Sequence, residues 1–227
     1  MLYVVGEGAW GLHARVRAWE AAWRQTVPDD RFRVQRAPVN LFRPQDAAFA
    51  DLLARIRAEG CGVVIFDTLQ RMSTGADLNG ARDAGVIIDA LDQARRATGN
   101  GSVGIVGHTG KADLDTRGSS ALEDDMDIVW RTKRPEGSDE LTLELAKRKD
   151  GPDGAQLRLR ARSVPGSGSL MLEAATGAAG PETRRPPKQA LPMLQVLAGS
   201  AAVDGLSMSA IADALGLRGK GAIFPTP

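Results

Sequence analysis

Thiols are nearly absent: Cys61 is the one cysteine among 227 residues. A single thiol excludes an internal disulfide framework and a cysteine-based zinc site, and it suits a reducing compartment. No apolar run approaches the ~20 residues that a membrane span needs. No basic segment precedes the opening Met1-Leu2-Tyr3-Val4-Val5, so it does not read as a secretory leader, and the expected location is the cytoplasm with no membrane partner. Net charge is also missing: 29 basic against 28 acidic side chains leave +1. Any nucleic-acid contact must come from local patches rather than from a global field. There is no internal repeat. Hydrophobic residues at 43% and charged residues at 25% are ordinary for a globular chain of this length.

Apolar runs and helical periodicities alternate along the first half. Leu2 to Val5 reads as a buried strand that leaves through Gly6-Glu7-Gly8. Ala9 to Trp23 carries Trp10, Val16, Trp19 and Trp23 at roughly helical spacing, with arginines between them. A short strand is expected over Phe32 to Arg36, then a helix opened by Pro44-Gln45-Asp46 and running to about Ala58. Val63-Val64-Ile65-Phe66 is an uninterrupted apolar run ending at Asp67-Thr68, the pattern of a parallel strand covered on both faces. A helix over Ala81 to Thr98 and a strand over Ser102 to Val106 complete an α/β order that argues for a doubly wound parallel sheet. Strands expected over Asp127 to Lys133, Leu141 to Lys149, Gln156 to Val164 and Ser169 to Glu173 are separated by turn sequences. They predict an antiparallel meander on one edge of the sheet. Residues 174–188, rich in Ala, Gly and Pro, read as a linker. The tail, 189–227, carries two helical patterns, and Leu206 to Leu217 has the spacing of a partial helix-turn-helix with Gly216 in its turn.

Ligands of open α/β sheets bind beyond the carboxyl ends of the strands. Three expected strands end there in polar groups: Glu7, Asp67 with Thr68, and His108 with Thr109. An aspartate at the end of an apolar strand can hold Mg²⁺ through its water shell. A glutamate beside it can polarise an attacking water. An imidazole can sense a phosphate by hydrogen bonding. Taken singly, the three also read as a turn-capping aspartate, a surface glutamate and a structural histidine. Arg117-Gly118-Ser119-Ser120-Ala121 opens a short helix that could face an anion, or is an ordinary capped helix start. Lys147-Arg148-Lys149-Asp150-Gly151 places cations at the end of a strand, either for a neighbour's nucleotide or as a charged edge that resists aggregation. No Gly-x-x-x-x-Gly-Lys-Ser/Thr loop occurs: Gly107-His108-Thr109-Gly110-Lys111-Ala112 lacks the first spacing and the hydroxyl, and Gly219-Lys220-Gly221 fails as well.

Taken in order, Gly6-Glu7-Gly8, Phe66-Asp67-Thr68, His108-Thr109-Gly110-Lys111, Arg117 to Ala121 and Lys147 to Gly151 resemble the RecA-like AAA-family ATPases of the RepA hexameric replicative helicase type, common in phages and plasmids. The resemblance covers about Leu2 to Val164. It implies a P-loop NTPase core at 1–173, ATP and Mg²⁺ as cofactors, a hexameric ring, single-stranded DNA as partner, and primase or other replication proteins nearby. Through it, Glu7 corresponds to the catalytic glutamate, Asp67 to the Walker B aspartate with Thr68 beside it, and His108 to the phosphate-sensing histidine. Lys147 and Lys149 correspond to the basic pair that reaches the adjacent subunit's nucleotide. Lysine lacks arginine's planar fork, so Arg117 is the alternative for that role. In the family the P-loop and its helix precede the strand ending in Gly-Glu-Gly, where Met1 stands here. The expectation is therefore an N-terminally truncated core, with either a natural start upstream or a degenerate copy. A non-catalytic DNA-binding or ring-assembly subunit is the other reading.

Overall fold

The computed structural model describes residues 1–108 and 120–175. Twelve elements follow one another there. They are β1 (Leu2–Val5), α1 (Ala9–Trp23), β2 (Arg33–Gln35), α2 (Ala47–Ala58), β3 (Val63–Asp67), α3 (Ala81–Ala97), β4 (Ser102–Val106), α4 (Ser120–Asp125), β5 (Ile128–Lys133), β6 (Glu140–Arg148), β7 (Gln156–Val164) and β8 (Ser169–Ala174). The expected linker beyond Ala175 and the helix-turn-helix-like tail lie outside the described residues. No described helix is long and apolar enough to cross a membrane.

The class is the expected one, α/β with a parallel core and antiparallel strands. The first four strands form a parallel sheet in the order β2-β1-β3-β4. The chain steps from β1 to β2 in one direction, then returns across β1 to β3 and on to β4. With right-handed crossovers, that reversal puts α1 on one face and α2 and α3 on the other. The reversal falls between neighbours β1 and β3, which is where ligands of such sheets collect.

The main core is built on one face only. Leu2, Val4, Val64 and Phe66 point into it and are no more than 0% exposed. Phe49, Leu52 and Ile56 of α2 and Ala84, Ile87, Ala90 and Ala94 of α3 close over them. The small residues of α3 let the helix approach, while its Ile87 fills the interior. The apolar run of β3 predicts cover on both faces, but only alternate residues are buried: Val64 and Phe66 are, whereas Val63 and Ile65 are half-exposed. The physical reason is in α1. Its Ala18 and Ala22 pack against Val164 and Met171 of the second sheet, making a separate small core.

That second sheet differs in arrangement from the expectation. The antiparallel strands β5-β6-β7-β8 form a meander of their own rather than adding to an edge of the parallel sheet. Two elements join the layers: α1 lies on β8, and α4 packs against α3 with Leu122 in the main core. Cross-strand ion pairs Lys133–Glu144, Arg160–Glu140 and Arg162–Glu173 decorate the meander. Exposed pairs of this kind contribute little each.

Candidate active site

The register of the parallel sheet levels three strand ends. Val5 lies beside Asp67, and Asp67 beside Val106. The next residues, Gly6-Glu7, Thr68 and Gly107-His108, therefore leave the sheet at the same edge, on either side of the β1/β3 reversal. Glu7 is at the centre. Its Oε2 is 3.5 Å from Thr68 Oγ1 and 3.9 Å from His108 Nε2. The first is a loose hydrogen bond and the second is too long to be one. Thr68 is buried, whereas the Glu7 and His108 side chains are 57% and 60% exposed, so both face the solvent side of the edge.

The turn that carries Glu7 is held tightly. Gly6 N–H donates to the Asp67 carbonyl at 2.6 Å, tying the two strand ends together. A Cβ on Gly6 would come within 2.6 Å of Arg71 Cβ and 3.3 Å of the Asp67 carbonyl, so glycine is required for this close approach. Gly8 has φ +67°, a left-handed conformation that turns the chain into α1. Two guanidinium groups grip the loop from either side. Arg71 Nε donates to the Gly6 carbonyl at 3.0 Å, and Arg15 Nη2 to the Gly8 carbonyl at 3.0 Å.

Asp67 is oriented by Tyr3. The phenolic hydroxyl donates to Asp67 Oδ2 in a short hydrogen bond. Tyr3 is pushed up to about 12, first by burial, then by this bond and by the Asp67 charge; Arg15 pulls weakly the other way. The hydroxyl thus stays a donor at any ordinary pH. It occupies one oxygen of the carboxylate, and no described residue hydrogen-bonds to the other. Tyr3, Arg15 and Arg71 escaped the sequence reading. A signal was available only for Tyr3: two residues before the strand's end, it shares a face with whatever ends the neighbouring strand.

The other expected residues lie elsewhere. Lys147 Nζ donates to the Glu123 and Asp124 carbonyls at the end of α4, at 2.8 Å for the first. Its ammonium serves that helix terminus. Lys149 Nζ is 3.4 Å from Asp127 Oδ1, and both side chains are exposed. Neither lysine pairs with Glu7, Asp67 or His108. Arg117, with Thr109 and Lys111, lies outside the described residues. No cluster of three or more metal-ligating side chains is present among the described residues. A cation held through water at Asp67 needs none.

With this geometry in view, residues 1–113 match the AAA domain family. The match spans just under half of the chain and takes in the whole parallel sheet. No curated protein matches the chain. Among solved structures, the crystal structure of the RadB recombinase is similar to it at 16% identity. That likeness covers 70% of this chain and 74% of that one, with a TM-score of 0.49. The matched residues include β1 to β4 and the three strand ends of the candidate site, whereas the antiparallel meander lies beyond them.

Proposed function

We propose that this chain is an ATP-dependent DNA motor, a RecA-like ATPase of the RepA hexameric helicase type that acts in DNA replication. What carries the reading is the convergence of Glu7, Asp67 with Thr68, and His108 at one sheet edge, across the strand-order reversal, within the AAA-type region. Asp67, with one oxygen fixed by Tyr3, is the residue that would hold Mg²⁺ through its water shell; bound there, the cation would supply charge stabilisation. Glu7, exposed and held by a rigid turn, is placed to polarise a water. His108, close to Glu7 but without a hydrogen bond to it, is placed to donate to an incoming oxygen. Lys149 remains the cation for a neighbouring subunit, with Arg117 as its alternative; Lys147 is the weaker choice because α4 uses its charge. In this reading residues 1–173 form the ATPase core, 174–188 a linker and 189–227 a partial helix-turn-helix module. The partners are single-stranded DNA, further copies in a ring, and primase or other replication proteins.

The residues fit the metal side of such a site and not its phosphate cradle, since no Gly-x-x-x-x-Gly-Lys-Ser/Thr loop occurs in the 227 residues. The basic run Lys147-Arg148-Lys149 favours a second reading, a non-catalytic DNA-binding or ring-assembly subunit. The test joins a phosphate-binding loop and its helix ahead of β1 and measures Mg²⁺-dependent ATP hydrolysis. Asp67→Ala is expected to abolish turnover. Equal turnover in the variant would remove Asp67 from the site and the ATPase assignment with it. Salt-sensitive single-strand binding with no nucleotide effect would give the second reading the lead.

A further inference from the structure

The outer face of α1 carries a surface that the site chemistry does not use. Trp10 is 97% exposed, the most exposed of the large apolar side chains among the described residues. Trp10, His13 and Arg17 stand at i, i+3 and i+7, so they form one stripe along the helix, and Arg24 follows at its C-cap. All four are exposed. The packing side of the helix is a different one, where Ala18 and Ala22 meet the antiparallel sheet. The stripe holds no carboxylate. The one acid of α1, Glu20, turns its Oε1 to the Val27 N–H at 2.8 Å. Arg15 is likewise occupied, folded back on Gly8.

An uncovered indole with cations along the same line is chemically specific. The ring offers a flat π face, and the guanidinium groups offer forked donors for phosphate. Charge complementarity selects a polyanion, and the indole selects one whose bases are free to stack. Duplex bases hide those faces, whereas a single strand presents them. From Trp10 to Arg24 the helix rises about 20 Å, room for several nucleotides of an extended strand.

We propose that the outer face of α1 binds single-stranded nucleic acid. Trp10 stacks on a base, and Arg17 and Arg24 hold the flanking phosphates. This inference rests on the single-strand part of the proposed function and is independent of whether the chain hydrolyses ATP.

The experiment titrates the full chain into a fluorescein-labelled oligothymidylate of about 16 nucleotides and follows anisotropy at several salt concentrations. A duplex of equal length serves as comparator, and circular dichroism checks each variant's fold. The wild type is expected to bind the single strand better than the duplex. Trp10→Ala should weaken binding about tenfold or more, from the loss of one stacked base. Arg17→Gln with Arg24→Gln should flatten the salt dependence by about one unit or more of slope. If all variants bind like the wild type, the strand sits elsewhere: the α1 surface is wrong, but the single-strand reading stands. If the wild type does not bind, both fall. Self-association that Trp10→Ala abolishes, without oligonucleotide binding, would make this face a contact between copies and overturn the proposal.

Discussion

Tyr3 is the only tyrosine in the chain, so its ionisation can be followed by phenolate absorbance without interference. Burial and the Asp67 carboxylate both disfavour the phenolate, hence the rise to about 12. The folded-state value lies above the ordinary 10, so the folded state binds this proton more tightly than the unfolded chain does. The corresponding stability is fully present below pH 10 and is lost as pH rises through about 12. A native titration is expected to show a midpoint near 12, and a denatured sample one near 10. Tyr3→Phe should remove the alkaline loss of stability between those limits. A native midpoint at 10 would mean that the hydroxyl does not hold Asp67. Glu7 is set differently. Its position comes from backbone, through the Gly6–Asp67 contact and the two guanidinium groups on the flanking carbonyls.

At the level of elements, helices and strands were legible because burial imprints a period on the residues. The α2 stripe Phe49, Leu52 and Ile56 is spaced for one helical face and is buried as such. What periodicity cannot say is which partner a face meets. Ala18 and Ala22 on α1 are too small to show as an apolar stripe, yet they make the contact with β8, and this leaves one face of β3 half-open. The strand ends that carry the candidate residues Glu7, Asp67 and His108 were readable because an apolar run stops at each. Arg15 and Arg71 were not, since each acts through a backbone carbonyl, and any exposed arginine looks the same in sequence. Glu59 is a further tie of this hidden kind. At the C-cap of α2 it bridges Arg33 of β2 and Arg55 of its own helix, each at 2.9 Å. The Arg33 hydrogen bond is the main cause that holds its carboxyl below the ordinary range, with Arg55 adding and partial burial opposing. Its contribution is present above the ordinary glutamate range of about 4.3 and disappears as pH falls through the depressed value. Glu59→Gln is therefore expected to lower the melting temperature by a few degrees near neutrality, with the gap to wild type closing in acid. A gap that is constant with pH would show that the charge is not what matters.

Across the whole described region, the two sheets share no strand pairing, so their relation depends on the helices that contact the antiparallel sheet. One of these is α1, through small-residue packing. The other is α4, a helix of only six residues, too short to be stable alone. It is fixed from two directions. Leu122 enters the core under α3. On the other side, Arg131 of β5 pairs with Glu123 at 2.7 Å, and Lys147 of β6 donates to the carbonyls that end the helix. A cation at that position satisfies acceptors that the helix leaves open and meets the negative end of its dipole. Lys147 thus works as a structural bolt between the antiparallel sheet and the helical layer. Lys147→Met keeps most of the apolar stem and removes the charge. It is expected to cost about 1–2 kcal/mol and to raise amide exchange first in α4 and β6, with the parallel sheet affected least. Lys149→Met, whose partner Asp127 is exposed, should have almost no effect on exchange. If the two variants behave alike, or if protection falls evenly over both sheets, α4 is not the tie that this geometry makes it.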